Sequence, residues 1–253
     1  MLIFHYDKSF EGLLSAVFDA YSEKIFPEKL IGDGEPEPMF TRQVWHVITD
    51  PYKSNRVWKG LQKKMVPKAA NMLFHAWLSE QPGCDELIFR YIRKIFDSPL
   101  RGMESNFADP DILSLHKLAM QVSKESHCVR QFVRFQKAGD NTFFGPISPK
   151  FNCLPLTLGY FRDRFADQKW IVYDIKRKYG FYYDLHKVVE INLPTDPMDG
   201  ALLNDKLMAE DEKLFQQLWN GYFKALAIQE RINPKVQRQH MPRRFWKYLP
   251  EMQ

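Results

Sequence analysis

Hydrophobic positions along this chain fall into two textures. Over the first half they recur mainly at helical spacing. Leu2 to Tyr6 reads as a short strand, and Phe10 to Glu23 then carries Leu13, Leu14, Val17, Phe18 and Tyr21 on one helical face. Phe26 to Thr41 interrupts the pattern with Pro27, Gly32, Gly34, Pro36, Pro38 and several acids, and reads as a loop. Gln43 to Thr49 is a second strand candidate. Four helices follow. Asn55 to Met65 is basic. Lys68 to Ser79 turns Ala70, Leu73, Phe74 and Trp77 inward, and Asp85 to Phe96 does so with Leu87, Ile88, Tyr91, Ile92 and Ile95. Asp111 to Ser126 is opened by Asp109-Pro110, a helix start signal.

The texture changes near residue 129. Val129 to Lys137 and Thr142 to Ile147 predict two strands joined at Ala138-Gly139-Asp140-Asn141. Cys153 to Phe165 is helical. Trp170 to Lys178 and Phe181 to Ile191 predict a second hairpin pivoting at Tyr179-Gly180. Thr195 to Asp205 reads as a loop. Leu207 to Ile228 is a long helix whose stripe of Leu214, Phe215, Leu218, Trp219, Tyr222, Phe223 and Leu226 predicts a core-facing side. The expected fold is α+β: a mainly antiparallel sheet from two C-terminal hairpins plus short N-terminal strands, packed with several helices. Residues 1–253 are expected to form a single domain. A soft boundary lies near 100–110, where Ser98-Pro99 and Asp109-Pro110 bracket a polar stretch.

Charge adds a second pattern. The net charge is +5, but it is unevenly spread. Residues 1–50 hold four Lys/Arg against nine Asp/Glu, whereas residues 51–80 hold six against one, and residues 231–253 again six against one. A charge run alone is often no more than a solvated helix face. The last block has more to it: no Asp or Glu falls between Glu230 and Glu251, and Phe245, Trp246 and Tyr248 are interleaved with the cations. Basic side chains neutralise phosphates and exposed rings stack on bases, so the pattern points to a polyanion, above all nucleic acid. The residues singled out are Arg238, His240, Arg243, Arg244, Trp246 and Lys247, together with Arg56, Lys59, Lys63 and Lys64 of the earlier block. Met241-Pro242 opens a helical turn over Arg243 to Leu249. In that turn Phe245, Tyr248 and Leu249 share a face and would pin the tail down, or else the rings stay free to stack on bases.

Motifs for chemistry are sparse. The chain has no GxGxxG, no GxxxxGK[ST], no HExxH and no GxSxG. Cys84, Cys128 and Cys153 form no CxxC and no CxxxCxxC cluster loop, and they fit a reducing, cytoplasmic setting without disulfides. Cys128 follows His127 directly, so the two side chains point apart. Nothing in the first residues has the plan of a secretory signal, and no apolar run is long enough to span a bilayer. No cofactor and no metal are called for. Asp174-Ile175-Lys176, on a predicted strand, has the acid-x-Lys form of one metal-dependent nuclease motif, in which the acid binds Mg²⁺ and the Lys stabilises developing charge. The same triplet recurs at Asp167-Gln168-Lys169 and Asp211-Glu212-Lys213, so it is weakly specific. Asp184 and His186, two apart on a predicted strand, share a face and could act as an acid–base pair. The plainer reading is a neutral histidine beside a surface acid.

Four stretches carry a resemblance to a known family. They are Phe144-Gly145-Pro146-Ile147-Ser148-Pro149; Tyr160-Phe161-Arg162-Asp163-Arg164-Phe165; Trp170-Ile171-Val172-Tyr173-Asp174 with Arg177-Lys178-Tyr179-Gly180; and Arg238-Gln239-His240-Met241-Pro242-Arg243-Arg244-Phe245-Trp246-Lys247. Together they resemble DUF4130, a bacterial family of unknown function described in connection with DNA metabolism and repair. The resemblance implies DNA as a partner. It also implies action beside a radical S-adenosylmethionine DNA-repair protein, since such proteins are encoded together, or beside a uracil-DNA-glycosylase-like domain, to which similar domains are fused. It assigns no catalytic residue. The expected function is therefore a DNA-binding accessory. The alternatives are a metal-dependent DNA-processing enzyme using Asp174 and Lys176, or an interaction module whose acidic N-terminal part docks a protein.

Overall fold

The computed structural model describes residues 1–99, 101–194, 197–199 and 202–252. The chain divides into two compact units, Met1–Val122 and Ser123–Gln253.

In the first unit β1 (Leu2–Tyr6) is the middle strand of a parallel sheet, flanked by β2 (Lys29–Gly32) and β3 (Gln43–His46). Between β1 and β2 runs α1 (Phe10–Glu23), started by Ser9, whose Oγ accepts the Gly12 N–H at 2.8 Å. Asp50 caps α2 (Pro51–Lys64) in the same way, with Pro51 preset for the first turn. α3 (Pro67–Trp77) and α4 (Cys84–Asp97) complete a helical layer. Phe4, Leu13, Val17, Leu61, Leu73, Ile88 and Ile92 are buried in one cluster, the inward stripes of the strand and the helices. α5 (Pro110–Phe132) begins where Asp109 Oδ1 accepts the N–H groups of Asp111 and Ile112. The boundary between the units falls within this helix.

The second unit is built on a five-stranded sheet of order β4-β5-β6-β7-β8. β4 (Gln136–Lys137) and β5 (Phe143–Ile147) form a hairpin. A 3-10 turn at Leu154–Thr157 and α6 (Leu158–Arg164) then carry the chain to β6 (Trp170–Asp174), parallel to β5. β7 (Tyr179–Tyr183) and β8 (Val188–Ile191) follow, each antiparallel to its neighbour. Aromatic side chains fill the space between α6 and the sheet: Phe161 meets Phe135 and Trp170 edge-on, and Trp170 stacks on Tyr183. Gly180 of β7 allows this sheet to close, because a Cβ there would lie 2.6 Å from the Val172 carbonyl oxygen. Short strands β9 (Met198–Asp199) and β10 (Leu202–Leu203) pair with each other. The C-terminal part is helical: α7 (Glu212–Leu226), α8 (Pro234–His240) and α9 (Arg243–Trp246).

The fold is α+β as expected, with a mostly antiparallel C-terminal sheet. Several elements depart from the sequence reading. β2 lies inside the stretch read as a loop; its Leu30 and Ile31 are both buried beside β1, so no alternation marked it. Val129 to Phe132 belongs to α5, not to a strand. Ile112, Leu115, Ala119, Val122, Ser126 and Val129 are all buried, spaced alternately by three and four, and this helical rhythm overrides the β-branched residues at its end. The second hairpin is a three-stranded meander whose first turn is Ile175–Lys178 rather than Tyr179-Gly180. Of the loop read over Thr195 to Asp205, residues 195, 196, 200 and 201 lie outside the described residues, and β9 and β10 occupy part of the rest. α7 starts at Glu212, five residues later than expected, because Met208 bridges to Ala138. Its apolar stripe is not core: Leu214, Leu218, Tyr222 and Leu226 are each more than half exposed. Among the described residues no helix is long and apolar enough to cross a membrane.

Candidate nucleic-acid interface

The C-terminal segment is fastened by its apolar residues. Phe245, Tyr248 and Leu249 are buried, and Phe245 packs against Phe132 with ring centroids 5.6 Å apart. This is the shared face expected of the turn after Pro242. One cation joins the anchor. Arg244 pairs with Glu125, a buried carboxylate that also accepts the Lys150 N–H at 2.7 Å. Trp246 is half-buried, and its Nε1 donates to the Met241 carbonyl at 2.9 Å. The tail rings are therefore structural, and so is Arg244.

The other tail cations point outward. Arg231, Lys235, Arg238, His240, Arg243 and Lys247 are exposed. Arg238 Nε donates to the Pro234 carbonyl at 2.9 Å, one turn back in α8, and the Arg243 guanidinium lies over the Trp246 ring at 5.8 Å. Among the described residues no carboxylate pairs with Arg231, Lys235, Arg238 or Arg243. Asn233 starts α8 by accepting the N–H groups of Lys235 and Val236. The four cations are thus held on short, capped helices and turns.

The earlier basic block is less available than its charge count suggests. Lys53 is paired with Asp19 at 2.7 Å. Lys64 donates to the carbonyls of Ile95, Phe96 and Ser98, closing the C-terminus of α4. Arg56 bonds the Tyr52 hydroxyl and lies over the Phe18 ring. Lys59 and Lys63 are the exposed members that carry no such partner among the described residues.

The enzyme-like candidates occupy turns. Asp174 ends β6 with its side chain fully buried. Its carboxylate accepts the N–H groups of Lys176 and Arg177 and pairs with Arg177 Nη1 at 2.8 Å. Burial pushes this carboxyl above its ordinary value, against the opposing pull of Arg177. Lys176 lies exposed in the following turn, not on a strand beside Asp174. Asp184 and His186 are likewise in a turn, between β7 and β8, and do not share a strand face. Asp184 Oδ1 accepts the backbone N–H groups of His186 and Lys187, which hold its carboxyl below the usual range. The three cysteines are buried; burial raises the Cys84 thiol to about 11 and pushes Cys128 and Cys153 up as well. Among the described residues no three His, Cys, Asp or Glu side chains gather as a metal site needs.

The second unit also holds a cleft that no linear motif marks. It measures about 970 Å³ and lies between the end of α5, the β4–β5 hairpin, α6 and the first turns of α7. Arg130 of α5, Arg134 just after it, Lys137 of β4 and Arg164 of α6 reach it, beside Tyr160, Phe165 and Trp219. Arg134 Nε donates to Glu251 Oε1 at 3.0 Å, and Trp219 Nε1 donates to the other oxygen at 2.9 Å. Burial would raise the Glu251 carboxyl, but these bonds outweigh it and hold it below its ordinary value. Lys137 pairs with Asp211 at 2.9 Å, and its backbone N–H donates to Glu212. The sequence does not announce this site because its cations are separated by up to 34 positions; the Tyr160–Phe165 motif, the Asp211-Glu212-Lys213 triplet and the aromatic stripe of α7 each touch it, with nothing to join them.

No curated protein matches this chain. Among solved structures, "pGpG-specific phosphodiesterase - PggH from Vibrio cholrae" is 10% identical, with 89% of this chain and 99% of that chain covered. Its TM-score is 0.27, too slight a likeness to carry an argument. A family model, by contrast, matches residues 82–251, which include α5, the whole second sheet, the cleft and the cationic tail. The chain belongs to DUF4130, a domain of unknown function.

Proposed function

We propose that this protein is a DNA-binding accessory in DNA metabolism or repair, gripping phosphates with the cations of its C-terminal segment. The observation that carries the reading is the division of labour in that segment. Phe245, Tyr248, Leu249 and Arg244 hold it down, while Arg231, Lys235, Arg238 and Arg243 stay exposed with no carboxylate to neutralise them among the described residues. Cations placed this way bind phosphate without reading sequence. The family resemblance supplies DNA as the polyanion, and an enzyme acting beside this chain, of the radical S-adenosylmethionine or glycosylase-like kind, as the source of chemistry. Binding of labelled single- and double-stranded DNA, read by fluorescence anisotropy at about 50 and 200 mM salt, tests it. Affinity is expected to fall by one or more orders of magnitude across that range. No binding to either form at the lower salt, with or without such an enzyme, contradicts it.

A second reading, a protein-interaction module, is favoured by one observation. α7 exposes Leu214, Leu218, Tyr222 and Leu226 along its length, and contiguous exposed apolar surface of this kind marks interaction sites. The occupant this reading names is the radical S-adenosylmethionine protein implied by the resemblance. Co-purification of the two that survives nuclease treatment, and is lost in Leu218→Glu, supports it. Co-purification abolished by nuclease, or indifferent to Leu218→Glu, rejects it.

A further inference from the structure

We infer that the cleft of the second unit is a binding site for an unpaired nucleotide. The inference rests on the nucleic-acid reading and adds a second, chemically distinct contact to it. Three guanidinium groups in or at the cleft each lie over an aromatic ring: Arg130 over Tyr160 at 5.8 Å, Arg134 over Trp219 at 5.7 Å, and Arg164 over Phe165 at 5.7 Å. Such pairs present a flat apolar surface and a fixed positive edge side by side. A base with its phosphate has the same two parts, a planar ring system and an anion.

The charge balance decides between this ligand and an apolar one. Of the four cations, Arg134 is taken up by Glu251 and Lys137 by Asp211. Glu212, the other acid at the cleft, is occupied by the Lys137 N–H and by Gln216 Nε2. Arg130 bonds only its own helix, through the Ser126 carbonyl and hydroxyl, and Arg164 has no carboxylate partner among the described residues. Two cations are thus left to meet an anion, and Tyr160 and Trp219 are about 40% exposed beside them. A paired base has both faces covered by its neighbours in the stack, so only an unpaired one can lie against these rings. The size, about 970 Å³, is at the upper end for a small-ligand site and leaves room for a strand to enter and leave.

The nucleotide can come from a strand or from the free pool, and one experiment separates the two. Anisotropy of a labelled single strand and of a blunt duplex is measured at low salt for the full chain, for Tyr160→Leu, for Arg164→Glu, and for a tail variant with Arg238→Ala and Arg243→Ala. Both cleft positions are exposed, so neither change disturbs the core. The single strand is expected to bind more tightly than the duplex, and each cleft variant to weaken it on the order of 10-fold while sparing the duplex. Competition by deoxynucleoside monophosphates identifies the free nucleotide as a ligand; single-strand binding that resists them identifies the strand. Single-strand binding unchanged in both cleft variants but lowered in the tail variant overturns the cleft and leaves the tail reading standing. Equal displacement by polyglutamate also overturns it, since that would make the cleft a general anion site. No binding of any DNA by the full chain overturns both.

Discussion

Asp174 shows at the residue scale how a chemical-looking triplet can be architectural. Its carboxylate closes the β6–β7 turn by accepting two backbone N–H groups and an Arg177 guanidinium, which in turn reaches the Pro149 carbonyl. The next residue but three, Lys178, takes a positive φ of 58°. The family stretch Arg177-Lys178-Tyr179-Gly180 is therefore a turn and a close sheet contact written into sequence. Asp174→Asn is expected to cost about 1–3 kcal/mol in chemical denaturation, because it weakens a buried charge-assisted network. Lys176→Ala, at an exposed position, should change stability by no more than about 0.5 kcal/mol. Asn at 174 leaving stability untouched while removing a Mg²⁺-dependent nuclease activity would instead restore the catalytic reading. Acid-x-Lys was visible in the sequence, but whether its side chains face solvent depends on where the strand ends.

At the scale of elements, periodicity located helices well and their surroundings poorly. β1 and α1 were legible to the residue, from a short apolar run at Leu2 to Tyr6 and from the apolar face of Leu13, Leu14, Val17, Phe18 and Tyr21. α7 was legible as an amphipathic helix, yet an apolar stripe records only that a face is apolar, not that anything covers it. The cleft was illegible for a related reason: its cations belong to α5, the segment after it, β4 and α6, and only folding gathers them. One carboxylate near the chain end ties two sides of the cleft together. Glu251 holds Arg134 of the segment after α5 and Trp219 of α7. Because its folded value is depressed below the ordinary 4.5, its contribution is fully present above that value and is lost as pH falls through the folded one. Acid titration of the Trp signal should show a step below about pH 4.5 that is absent from Glu251→Gln. A step of equal size in that variant would mean that the contact is not formed in solution.

At the scale of the whole molecule, the net charge of +5 says little and its distribution says more. The acidic first fifty residues and the two basic blocks were plain from counting. Counting could not show that Lys53, Lys64 and Arg244 are spent on Asp19, on the carbonyls ending α4 and on Glu125. What remains for a polyanion is mainly the tail, on a platform of buried rings, inside the part of the chain that matches DUF4130. Removing one phosphate-neutralising cation should lower the steepness of the salt dependence by about one unit. The most direct measurement is thus the slope of log affinity for duplex DNA against log salt, for the full chain and for a variant with Arg231, Lys235, Arg238 and Arg243 all replaced by Ala. Measurable binding by the full chain is expected, with a slope shallower by roughly two to four in the variant and its thermal stability unchanged. Identical slopes in the two proteins, or no binding by the full chain at low salt, would contradict it.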